Sequence, residues 1–62
     1  MTSYEKKILR AWKAISRMNG GKGASAHEVT MHMANSGMLA PLDTVIDIAD
    51  QMKVMAERGD LR

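Results

Sequence analysis

The sequence predicts an all-α fold: a single three-helix domain over residues 1–62, with helices at approximately 3–18, 26–36 and 41–58. Three observations carry this expectation. Ser/Thr-x-x-Glu signals, in which each end of the motif caps the other's backbone N–H, stand at Thr2–Glu5 and Ser25–Glu28. Glycine follows the last apolar position of each segment, at Gly20, Gly37 and Gly59, where a chain leaving a helix takes a left-handed turn. Apolar residues recur at i, i+3, i+4 and i+7, and nowhere at the strict alternation of a strand.

The third segment organises the rest. From Pro41 to Arg58, a stripe of Leu42, Val45, Ile46, Ile48, Ala49, Met52, Met55 and Ala56 follows helical spacing. Pro41 suits the first helical position, where a missing N–H costs nothing, and Asp43 then suits the positive end of the helix dipole. The first helix places Tyr4, Ile8, Ala11, Trp12, Ile15 and Met18 on one face and Lys6, Arg10, Lys13 and Arg17 opposite. Asn19-Gly20-Gly21 ends it, and Gly20–Gly23 is a connector. In the second helix Ala26, Val29, Thr30, Met33 and Ala34 form the inner face. Gly37 and Met38 close it in a Schellman turn, and Leu61 is expected to fold back onto the third stripe.

A domain this small has a limited core. Below about 70–80 residues a core rarely supplies more than ~3–5 kcal/mol, so disulfides, a metal or a partner usually assist. The chain has no cysteine, which excludes disulfides and thiolate metal sites and leaves association as the expected staple. Seven methionines against no phenylalanine are expected first as flexible core filler, with adaptation to a partner as the alternative. No stretch reaches the ~18 apolar residues of a membrane span, and Lys6, Lys7 and Arg10 interrupt any signal-peptide pattern. A soluble cytoplasmic protein is expected. The small positive net charge of +2 hides opposite halves. Lys6, Lys7, Arg10, Lys13, Arg17 and Lys22 face only Glu5 before residue 24. Beyond it six carboxylates outnumber Lys53, Arg58 and Arg62.

Chemistry-bearing patterns are weak. His27 and His32 are five residues apart, so they point roughly 140° apart on a helix and do not converge on one ion; a surface pair of His32 with Glu28 is expected instead. Asp43, Asp47 and Asp50 share the polar face of the third helix, exposed rather than in the shielded cleft that acid–base catalysis needs. Gly20-Gly21-Lys22-Gly23 lacks the spacing and the Ser or Thr of a phosphate loop. Little room is expected for a pocket of ~300 Å³ or more. No catalytic residue, cofactor, metal, membrane or small-molecule substrate is therefore expected.

Helix, loop, helix, turn, helix and then Gly-Asp-Leu resembles the helical part of a winged helix-turn-helix domain. The residues that carry the likeness are Ser25-Ala26-His27-Glu28-Val29, Asp43-Thr44-Val45 and Glu57-Arg58-Gly59-Asp60-Leu61. The resemblance implies a third helix that reads the major groove and following strands that form a wing. The chain departs from that pattern by spending fifteen residues from Thr30 to Val45 where the family spends about ten. It also presents Asp43, Asp47 and Asp50 on the would-be reading helix, where phosphates repel them, and it reaches Arg62 before any wing. Its phrasing is similar, too, to short accessory proteins of temperate bacteriophages.

Two functions follow as expectations. The first is a non-enzymatic accessory or regulatory protein acting through protein–protein association, as a homodimer or with another protein, through Leu9, Trp12, Met31, Ile48, Val54 and Met55. Leu9, Met31 and Val54 stand outside the stripes, and the third stripe is wider than one neighbour needs. The second is a helix-turn-helix-like DNA binder whose Lys6, Arg10, Lys13, Arg17 and Lys22 contact phosphates.

Overall fold

A computed structural model describes all of residues 1–62. It contains three α-helices and no strand: α1 (Ser3–Met18), α2 (Ala26–Asn35) and α3 (Val45–Glu57). Both expected capping boxes form. The Thr2 hydroxyl accepts the Glu5 N–H and the Glu5 carboxylate accepts the Thr2 N–H; Ser25 and Glu28 repeat the exchange at α2.

All three helices stop in the same way. The residue after each glycine donates its N–H to a carbonyl five residues earlier: Gly21 to Ser16 at 2.7 Å, Met38 to Met33 at 2.8 Å and Asp60 to Met55 at 2.8 Å. Gly20, Gly37 and Gly59 hold φ near +70° to +80° to allow it. Each end is therefore set by residues close to it in the chain.

Helix α2 packs against both α1 and α3, which touch each other less. Ile8, Ala11, Val29, Met33, Ile48, Met52 and Met55 form the core, and Tyr4, Leu9, Trp12, Met38, Leu39 and Leu61 pack around it half-buried. The whole measures 29 × 23 × 18 Å.

The third helix begins later than its stripe suggests, at Val45 rather than Pro41. Ala40–Asp43 closes a turn instead: Asp43 N–H reaches the Ala40 carbonyl, and the Asp43 carboxylate accepts the Ala40 N–H, both at 3.0 Å. Proline serves the second position of such a turn as well as the start of a helix. Thr44 then caps α3, its hydroxyl accepting the Asp47 N–H at 3.2 Å. Leu42 is thus outside the helix and 88% exposed.

Other placements also differ from the stripes. Met18 is 77% exposed because the connector folds back along the Trp12–Ser16 side of α1 and leaves Met18 uncovered. There Gly23 donates its N–H to the buried Ser16 hydroxyl at 2.9 Å, and a Cβ on Gly23 would lie 3.4 Å from the Trp12 ring. Ala34 is exposed rather than on the inner face of α2.

Candidate partner-docking surface

The apolar stripe of α3 is wider than the core that uses it. Ile48 and Met55 are sealed at 0% exposure, and Met52 lies beside them at 8%. At about 100° per residue, Val45, Ala56 and Ala49 fall within roughly 60° of Met52 on the flank away from Ile48 and Met55, and Ile46 lies further round on the same side, about 120° from Met52. Val45 is 41% and Ile46 70% exposed. Half of one continuous stripe therefore builds the interior and the other half meets solvent.

The part of that flank formed by Ala49 and Ala56 belongs to one wall of a groove of about 440 Å³. Ala49, Met52, Lys53 and Ala56 line it from α3. Trp12, Ala24 and Ala26 face them across the groove, and Leu61 stands at the C-terminal end. Small side chains shape it: four alanines leave the space that larger residues would fill. The sequence expectation of little room for a pocket is corrected by this groove and by a polar depression of about 510 Å³ beside Asn19, Ser25 and Glu28. Both are open to solvent rather than shielded. Lys22 and Lys53 supply the charge on the apolar groove.

The expected partner residues separate into groups. Trp12 lines the groove, and Leu9 is half-buried on α1 between cations. Met31 (49%) and Val54 (46%) are exposed. Ile48 and Met55 require correction, since the chain's own core covers them and no partner reaches them without opening the fold. Among the apolar residues of the same stripe, α3 leaves Val45 and Ile46 open, with Ala49 half-buried. The signal available is Thr44-Val45-Ile46-Asp47, a Thr cap that starts the helix one turn late and leaves its first apolar residues at the open end.

The basic residues also divide. Lys6, Arg10 and Lys13 surround Leu9 in a shallow depression of about 300 Å³, whereas Lys22 lies with the apolar groove. Lys7 donates to the Met38 carbonyl at 3.3 Å. The ion pairs of the chain both belong to Arg58, which bridges Glu5 and Asp60.

Glu5 has a role that its capping box does not foretell. Almost buried at 6% exposure, it caps α1 while accepting from Arg58 and from Gln51 Nε2, the latter at 3.2 Å. These bonds tie the first turn of α1 to α3. The Thr2 backbone N–H, then the Arg58 guanidinium, hold its carboxyl at about 2. Arg58 is raised in turn by Glu5. Glu28 is lowered as well, first by the Ser25 N–H and then by the Asn19 amide, which donates to it at 3.2 Å and to the Gly23 carbonyl at 3.0 Å. The expected Glu28–His32 pair is absent because the Glu28 oxygens already serve Ser25 and Asn19.

No group of three or more histidine or carboxylate side chains gathers in a way that would hold a metal ion. No helix is long and apolar enough to cross a membrane. No protein-family model, curated protein or solved structure matches the chain.

Proposed function

We propose that this chain is a small non-enzymatic accessory or regulatory protein that works by protein–protein association and assembles as a homodimer. The observation that carries the reading is the run that opens α3. Leu42, Val45 and Ile46 stand 88%, 41% and 70% exposed, and Val45 and Ile46 lie one turn before Ala49, which lines an apolar groove. Single exposed apolar residues are ordinary, but a contiguous strip beside a groove marks an interaction surface. Covering it adds buried apolar area to a core of seven residues.

Sedimentation equilibrium at tens of micromolar tests this. A dimer is expected, with a thermal midpoint that falls on dilution because assembly stabilises the folded state by mass action. A monomer whose midpoint ignores concentration would end the reading.

A second reading, a helix-turn-helix-like DNA binder, is favoured by one observation. Lys6, Arg10, Lys13, Arg17 and Lys22 form no ion pair within the chain, so their charge is available to phosphates. Affinity for duplex DNA is then expected to fall steeply between ~50 and 200 mM salt. The double variant Arg10→Ala/Arg17→Ala should reduce the logarithmic salt slope by nearly two, at ~0.9 for each phosphate that is no longer neutralised. Absence of any mobility shift at low salt would remove it.

A further inference from the structure

We propose that the occupant of the α3 face is a second copy of this chain, laid antiparallel along α3 about a two-fold axis between Gln51 and Met52. The inference rests on the association reading and specifies its surface and register.

Shape supplies the first argument. A two-fold contact must be self-complementary, so that a feature at one end of the face fits a feature at the other. On α3 the projecting residue is Ile46, near the N-terminal end, 70% exposed. The groove runs along α3 from Ala49 to Ala56, and Leu61 lines it beyond the C-terminal end of the helix. Ile46 and Ala56 are ten residues apart, about 15 Å along a helix. Antiparallel pairing about this axis brings Ile46 of each copy level with Glu57 in the other, one residue from Ala56. Ala49 lies near the middle and lets the two backbones approach.

Charge fixes the direction. Lys53 stands in the middle of this flank and makes no ion pair, although Asp50 and Glu57 lie three and four residues away on the same helix. The antiparallel register places each Lys53 level with Asp50 of the other copy. A parallel arrangement would instead bring Lys53 against Lys53, a repulsion between like charges. Size is compatible: a standard interface takes ~800 Å² from each partner, about a fifth of this chain's 4118 Å² of surface.

The test uses the full chain and sedimentation equilibrium on four variants. Lys53→Glu and Asp50→Lys each place like charges together twice, once at each symmetry-related contact. Each is expected to raise the dimer dissociation constant about ten-fold. The double variant Lys53→Glu/Asp50→Lys restores the pairs in reverse and should return to within about three-fold of the parent. Ile46→Glu, at an exposed site, should weaken the dimer by about thirty-fold or more with an unchanged far-ultraviolet circular dichroism spectrum.

A dimer indifferent to all four variants would overturn this surface and leave association standing. A dimer weakened by both single changes but not restored by the double would overturn the register. A parent chain that stays monomeric would overturn both this inference and the reading beneath it.

Discussion

Ile48→Ala is expected to unfold most of the protein at room temperature, whereas Ile46→Ala, two residues away, should leave the fold intact. Ile48 is fully buried between the helices, and removing its outer carbons leaves a cavity that costs ~2–5 kcal/mol. A core of this size supplies only ~3–5 kcal/mol in total. Ile46 is 70% exposed on the same helix, and its truncation empties no interior space. Urea titrations followed by circular dichroism check the contrast. Equal losses from the two variants would mean that α3 is rotated about its own axis from this orientation. Raising the protein concentration should recover part of the Ile48→Ala loss if assembly is linked to folding, and the same increase should do little for Ile46→Ala, which trims the proposed contact itself.

Acid is expected to weaken the fold through Glu5. Its carboxyl ionises more readily in the folded chain, at about 2 rather than near 4.5, so the stability it contributes is complete above the ordinary value. That contribution is lost as the pH falls from roughly 4.5 toward 2, when the proton displaces the bonds from Thr2 and Arg58. Glu28 moves in the same direction and adds to the slope. The urea midpoint of the parent chain should therefore fall across this window. Glu5→Gln, which can still accept from the Thr2 N–H but not as an anion, should start lower at neutral pH and fall less. An unchanged acid slope in Glu5→Gln would place the effect elsewhere.

Local signals in the sequence are enough to locate the helices. Thr2–Glu5 and Ser25–Glu28 announce two starts, and Gly20, Gly37 and Gly59 announce three stops, because every bond involved lies within a few residues of chain. The start of α3 is ambiguous for a physical reason. Pro41 and Asp43 serve a turn as well as a first helical turn, and Thr44 competes as cap. A start at Pro41 adds a turn to the stripe and draws Leu42 into it. The division of the α3 stripe between core and surface is not legible, since periodicity names a face but not the angle at which neighbours meet it. Ile48 and Met55 therefore pass for partner residues in the sequence and are core residues in the fold. The Glu5–Arg58 tie is hidden for another reason: its partners are 53 residues apart, and a capping box already accounts for Glu5.

The same tie has a consequence for handling the molecule. Thr2, Glu5, Arg58 and Asp60 line one shared cavity, so residues near position 1 and near position 62 emerge at a common pole. The domain should therefore graft into a surface loop of a host protein without stretching either attachment.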